Sequence, residues 1–276
     1  MSLVKRVVLL MIVLSTSLLA TQKRDINFTP LPMKNEQKTI QGFVPFIEYL
    51  QQHTSLTINF NYQHNYSDIL KGFIEGKIDI AYLGPLPYAV LKSKYPEIEP
   101  LVTFKQKDGK SFYRCVLSKF SEDQIDFEKK ITVALTQPLS TCGYYATNKL
   151  LKDKLGIALE KQSYAYTMSH TNALLGVMRE EFMIAGATED IAKQYESLGM
   201  EIIAESELFP GFAIVVNKKT LSSEQIAKIR EILLNIPKTT YEKWDPSLKY
   251  GVVPADVNLY NSLNIDCDIP QEGNME

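Results

Sequence analysis

Between Asp25 and Gly84 the chain alternates between short β-rich runs and amphipathic segments, and this alternation constrains the fold more than any other feature. "DINFTPL" reads as a strand. Residues 43–50 follow, with Phe43, Phe46, Ile47 and Leu50 at i, i+3, i+4 and i+7, one apolar stripe of a helix. "LTINFNY" alternates as a strand does, "YSDILKGFIEG" reads as a helix capped near Ser67 and closed by Gly76, and "IDIAYLG" is a buried strand. The order β-α-β-α-β predicts a parallel sheet covered by helices.

The middle of the chain differs. "EPLVTFKQ" and "SFYRCVLSK" are two extended runs joined by Asp108-Gly109, which is a hairpin signal. A second α/β series follows: strand 131–135, helix 141–154, strand 162–166, helix 171–181, strand 182–187, helix 189–198 and strand 200–204. After a strand in "GFAIVVN", Ser222 and Gln225 fit a capping box for a helix whose stripe is Ile226, Ile229 and Leu233. Short helices near Tyr241 and over 256–264 complete a tail with no sheet of its own, which must pack back on an existing unit.

The expectation is an α/β protein of two lobes, each a mainly parallel sheet flanked by helices. Residues 21–106 and 218–276 form lobe 1, and 107–217 form an inserted lobe 2. Such lobes leave a cleft at strand ends and helix N-termini, where α/β sheets bind ligands. The crossings near 105–110 and 208–218 are the expected hinge.

Residues 1–20 read as an export signal, either cleaved or kept as an anchor, that places the protein in the periplasm: Lys5 and Arg6 precede an apolar run, Val7 to Leu19, that is short of the ~20 residues of a membrane span. The composition, 45% hydrophobic and 22% charged, is that of a globular protein. A formal net charge of −2 with scattered Lys and Arg argues against a nucleic-acid partner. Of the three cysteines, Cys115, Cys142 and Cys267, at most one pair can form a disulfide.

Cys142 lies in the stretch that carries the chemistry, "TQPLSTCGYYATNKLL". The strand ends at Leu135, and Ser140 or Thr141 falls at the N-cap of the next helix. A helix start has unpaired N–H groups and a partial positive charge, the hydroxyls add donors, and Gly143 admits close approach of a ligand to the backbone. The plainer reading of Ser-Thr here is an N-cap and nothing more. Two further strand-to-helix junctions carry candidates. Tyr88 follows "LGP" and is either a cleft residue or a core tyrosine. His170 precedes a helix with the stripe Leu174, Leu175, Met178 and Phe182, and is either an anion donor or an ordinary satisfied histidine. Glu189 follows the strand in "FMIAGAT", at the next such junction.

Taken in order, these segments resemble the periplasmic phosphonate-binding proteins of ABC importers, whose relatives also bind phosphite or phosphate. The family's strand-end motif, an Asp four residues before "L-G-P-x-x-Y", is matched by Asp79 and by Leu83 to Tyr88, and its "P-x-S-T-S-G-Y" loop by Pro138 to Tyr144. Ser169-His170 matches the pair before a helix, and Glu189 the acidic residue closing the next strand. The resemblance implies a type II periplasmic binding fold. It also implies that Ser140, Thr141, the amides of Cys142 and Gly143, Tyr88 and His170 grip a PO₃ group, with Glu189 facing the variable substituent. Cys142 stands where the family has a third hydroxyl and offers only a weak S–H. Either its amide alone serves the ligand, or the thiol favours an arsenic oxyanion.

No enzyme motif survives inspection. "GFIEGK" lacks the spacing of a Walker loop, and a Ser140/His170 hydrolase would need an oxyanion hole and an orienting third group. His53 and His64 have no partners at metal-ligand spacing, so neither a metal nor another cofactor is expected. The reading is a binding protein that delivers a phosphorus oxyanion to an ABC permease in the inner membrane. The alternative is a periplasmic oxyanion sensor serving a membrane histidine kinase.

Overall fold

The computed structural model describes residues 25–33, 36–261, 263 and 273–274. The export-signal segment, Cys267 and most of the chain's end lie outside these residues. Among the described residues, eleven strands form two sheets. The first contains β1 (Ile26–Pro30), β2 (Ile58–Phe60), β3 (Ile80–Leu83), β4 (Ile98–Phe104), β10 (Ala213–Asn217) and β11 (Val252–Pro254), in the order β11-β4-β10-β3-β1-β2. The second contains β5 (Phe112–Phe120), β6 (Thr132–Leu135), β7 (Ser163–Tyr166), β8 (Ile184–Thr188) and β9 (Met200–Pro210), in the order β7-β6-β8-β5-β9.

The expected β-α-β-α-β unit is present. α1 (Glu36–Thr54) and α2 (Tyr66–Ile74) connect strands that pair in parallel, β1 with β2 and β1 with β3. Phe43, Phe46, Ile47 and Leu50 of α1 are buried, and Phe46 packs edge-on to Trp244 at 5.5 Å between centroids. α2 is capped by Asn65, whose side chain accepts from the Asp68 N–H, two residues before the expected Ser67. The helix closes through Gly76, at φ +68°, a conformation that costs a residue without Cβ little.

Three expectations change. The runs on either side of Asp108-Gly109 do not pair as a hairpin: β4 joins the first sheet and β5 the second, and the turn, closed by Gly109 N–H to Gln106 O, belongs to a crossing between lobes. A turn signal specifies a local reversal but not which strand each arm pairs with. β10 pairs with β3 and β4, so residues 213–217 belong to lobe 1 and the inserted lobe ends before Gly211. The sheets are also mixed instead of mainly parallel, because the strands next to the crossings run against their neighbours: β10 against β3 and β4, and β5 against β8 and β9.

The tail packs on lobe 1 as expected. α7 (Ser223–Leu234) carries the capping box of Ser222 and Gln225 and buries Ile226, Ile229 and Leu233. The short helices α8 (Lys238–Tyr241) and α9 (Val257–Asn261) follow. Between them β11 adds an edge strand to β4, so the tail does contribute to a sheet.

The two crossings, 105–111 and 211–212, lie side by side and bond to each other. Gly211 donates to Ser111 O at 2.7 Å and Phe104 to Phe212 O at 2.8 Å. A Cβ on Gly211 would sit 2.6 Å from Phe104 O, so the paired backbones require glycine there. Tyr260 from α9 donates to Gly211 O at 2.7 Å and its hydroxyl also meets Thr103 Oγ1, which ties the tail to the hinge. Phe212 is stacked between Tyr82 of lobe 1 and Tyr113 of lobe 2, at centroid distances of 5.1 and 5.9 Å.

Candidate functional site

The segment 136–151 builds the floor of the site. After β6 the chain turns, and Ser140 caps a wide helical turn over Thr141–Ala146 that continues as α4 (Thr147–Leu155). The first turn is a π-helix, with Tyr145 N–H reaching Ser140 O at 3.2 Å. The cap is the Ser140 Oγ, which accepts from Gly143 N–H at 3.0 Å. Gly143's amide is therefore spent on the cap. Among the described residues, the first-turn amides of Thr141 and Cys142 have no acceptor, while the Ser140 hydroxyl keeps its proton to donate. Gly143 is required for a different reason than ligand approach: a Cβ there would lie 1.8 Å from Thr136 Oγ1, so the turn packs directly on the end of β6.

A small cavity of about 20 Å³ lies over this turn, room for about one water. Lobe 2 supplies Tyr113, Ser140, Thr141, Cys142, His170 and Thr188 to its wall. Lobe 1 supplies Leu31, Met33, Tyr66, Gly84 and Pro87, and Phe212 of the crossing completes it. A wider cleft of about 1150 Å³ opens beside it, bounded by Met33, Lys38, Tyr62 and Lys243 from lobe 1 and by Met168, Ser169 and Asn172 from lobe 2. The loop at Pro32 and Met33 thus separates the deep cavity from the open cleft.

Thr141 joins the lobes. Its Oγ1 accepts from Leu86 N–H, in the first turn of α3 (Pro85–Lys94), at 3.1 Å, and it shares a hydrogen bond with the Tyr113 hydroxyl. The start of α3 offers little to an anion beyond this. Pro85 and Pro87 have no N–H, and Tyr88 N–H goes to Gly84 O. Burial pushes the Tyr66 and Tyr113 hydroxyls well above the ordinary tyrosine range, with the Thr141 bond opposing the shift at Tyr113. Both are neutral donors at any physiological pH.

His170 opens α5 (His170–Met178), capped by Ser169. Its Nδ1 is buried without a hydrogen-bond partner among the described residues. Burial pushes the imidazole down to about 4, opposed by a hydrogen bond to the Gly186 backbone. His170 thus lines the same cavity as Ser140 and Thr141, and its neutral imidazole would take a proton only where a nearby negative charge repaid the burial.

Ser140, Thr141, Cys142 and His170 therefore come together as expected, and Gly143 lies beneath them. Three expectations need correction. Tyr88 is fully buried in the lobe 1 core, packed edge-on to Tyr260 at 5.3 Å, and its hydroxyl finds no partner among the described residues. It lies one residue past Pro87, on the helix face turned to the core. Glu189 heads the short helix α6 (Glu189–Lys193) and forms an ion pair with Lys193, while Thr188, one residue earlier, lines the cavity. Cys142 carries no thiol: it is bonded to Cys115 of β5, Cα to Cα 5.0 Å. This leaves neither a weak S–H donor nor a free thiol for an arsenic oxyanion.

Sequence reasoning missed Tyr66, Tyr113, Thr188 and Phe212. Thr188 stands at a strand end and was open to the same rule that selected its neighbour. Tyr113 and Phe212 sit at the crossings, where extended sequence does not reveal which lobe a side chain faces. Among the described residues there is no cluster of side chains able to hold a metal ion, and no helix long and apolar enough to cross a membrane.

Comparison with known proteins agrees with this architecture. The family model for the periplasmic substrate-binding protein of phosphonate ABC transporters matches residues 28–269. The phosphonates-binding periplasmic protein of Escherichia coli is 26% identical over 237 residues, 80% of this chain and 69% of that one. The phosphate-import protein of Mycolicibacterium smegmatis is 28% identical over 135 residues, so the match spans 46% of this chain and only 42% of that relative. Among solved structures, the binding component of a phosphonate ABC transporter from Pseudomonas aeruginosa superposes with a TM-score of 0.72 at 20% identity, covering 87% of this chain and 84% of its own. A Prochlorococcus marinus protein solved with methylphosphonate gives 0.71 at 12% identity, covering 88% and 96%. The chain belongs to the phosphonate family of periplasmic substrate-binding proteins of ABC transporters.

Proposed function

We propose that this protein captures a phosphorus oxyanion, a phosphonate, phosphite or phosphate, in the cavity between its lobes and presents it to an ABC permease in the inner membrane. The observation that carries the reading is the buried Nδ1 of His170, without a partner among the described residues, in a side chain that lines the same cavity as Ser140, Thr141 and Cys142. Tetrahedral anions suit such a site because each oxygen can accept from a different donor: the Ser140 hydroxyl, the Thr141 and Cys142 amides, the Tyr66 hydroxyl and a protonated His170. The group attached to phosphorus would point past Met33 into the wider cleft.

A cavity of about 20 Å³ is too small for a PO₃ head. Entry therefore requires the lobes to part about the paired crossings and then to close on the ligand, which gives the permease a closed form to recognise. With the thiol at position 142 occupied, the arsenic variant of the sensor reading loses its motivation.

Isothermal titration against phosphate, phosphite, methylphosphonate, 2-aminoethylphosphonate, arsenate, arsenite and sulfate tests the proposal. Binding on the order of micromolar or tighter for one phosphorus oxyanion is expected. Silence toward all of them would overturn it.

A further inference from the structure

We infer that the Cys115–Cys142 disulfide is a positioning element for the anion-binding turn, so that ligand affinity depends on the redox state of this cysteine pair. The inference rests on the binding reading above and adds a determinant that lies outside the ligand's reach.

Strand β5 holds the turn at two adjacent same-face positions. Tyr113 bonds through its hydroxyl to Thr141, and Cys115 is bonded covalently to Cys142. Both sulfurs belong to buried residues, packed with Ala146 and Phe209. Cys115 sits where the β5–β9 register shifts, and its N–H is taken by Ser206 Oγ at 3.0 Å, so a side chain completes the backbone bonding at the bridge. β5 also begins where the first crossing enters lobe 2. The bridge thus fastens the turn to the strand that follows the hinge.

The other ties of the turn are at its neighbours: Gly143 N–H to Ser140 Oγ at 3.0 Å, Thr136 N–H to Gly143 O at 3.1 Å and Leu86 N–H to Thr141 Oγ1 at 3.1 Å, so the bridge is what fastens position 142 itself to β5. A π-helical first turn is a rare arrangement, and the Cys142 carbonyl is fixed by Thr147 Oγ1 at 2.6 Å from within the same segment. The covalent tie to β5 is what orients the Cys142 amide relative to His170. Reduction by a dithiol would break the S–S bond, place two electrons and two protons on the sulfurs as two thiols, and leave the reductant as its own disulfide. Because the sulfurs are buried, the bond should resist reductant in the folded protein, and cysteine variants are the cleaner probe.

The test compares the oxidised protein with Cys115→Ala/Cys142→Ala and Cys115→Ala/Cys142→Ser, each well below its own melting temperature. Two readouts are taken: affinity for the best phosphorus oxyanion of the panel, and hydrogen exchange of amides 141–146. Positioning predicts at least tenfold weaker binding in both variants, at least tenfold faster exchange confined to this turn, and no rescue by serine. Unchanged exchange in the turn would overturn the inference, whatever happens to binding. So would full affinity in both variants, which would make the bridge a staple for stability alone, or recovery by serine alone, which would assign the effect to a missing hydroxyl. If the oxidised protein binds nothing in the panel, the functional reading fails, and the exchange data still decide the role of the bridge.

Discussion

Thr141 Oγ1 and Leu86 N–H meet at 3.1 Å across the two lobes, and this bond closes the binding turn of one lobe against the helix start of the other. The hydroxyl has room for one more partnership, with a ligand oxygen. Replacing it removes a hydrogen bond to a charged group, worth ~1.5–3 kcal/mol. Thr141→Val should therefore weaken anion binding about tenfold or more, with Thr141→Ser close to wild type. Calorimetric titration measures this, and equal affinity for Val and Thr would make the residue only part of the cap's packing.

His170 predicts the pH dependence. Its folded value, about 4, lies below that of an unfolded histidine, ~6.5. Between these values the unfolded chain binds a proton that the folded protein does not. This residue's contribution to stability is therefore complete above pH ~6.5 and is lost as pH falls toward 4. A bound anion beside Nδ1 reverses the preference and draws a proton onto the ring. Anion binding should take up protons at neutral pH, visible as a calorimetric enthalpy that varies with the buffer's ionisation heat. His170→Gln should remove that part of the uptake, leaving only what the ligand's own titration supplies. Identical uptake in the variant would place His170 outside the anion's reach.

Gly143→Ala puts a methyl group where Thr136 Oγ1 already lies, 1.8 Å from the new carbon. Overpacking of this kind costs ~1–3 kcal/mol, and the turn must lift away from β6. Both melting temperature and affinity should fall. Thr136→Ala in the same background should recover part of each, because it removes the nearest clashing atom.

The disulfide closes a loop with a sequence separation of 27. By chain entropy its loss destabilises the protein by ~3–4 kcal/mol, a fall of roughly 5–15 °C in melting midpoint. Scanning calorimetry of Cys115→Ser/Cys142→Ser checks this directly.

Glu189→Gln should leave the affinity for 2-aminoethylphosphonate within about twofold of wild type, since its carboxylate is engaged with the exposed Lys193 and an exposed pair of this kind contributes ~0–1 kcal/mol. A large selective loss for the amino-substituted ligand would return Glu189 to the substituent pocket. Thr188→Val, on the cavity wall, should change affinity more than Glu189→Gln does.

The sequence by itself determined the elements and their order. Periods of 3.6 and 2 residues are local properties, and the stripe Phe43–Phe46–Ile47–Leu50, the run IAYL and the Ser222–Gln225 box each report which face is buried without reference to the rest of the chain. It also placed Ser140, Thr141 and His170 at strand-to-helix junctions, and in an α/β sheet these collect at one cleft. Only the tertiary structure decided what each group faces and what it spends its bonds on. The side of the hinge on which β10 pairs, the bond between Cys115 and Cys142, the engagement of the Gly143 amide with Ser140, and the choice of Tyr66 over Tyr88 for the cavity wall depend on contacts between residues distant in the chain or on the exact roll of a helix. Local pattern specifies that a face is buried. Which surface buries it is settled by packing the whole molecule.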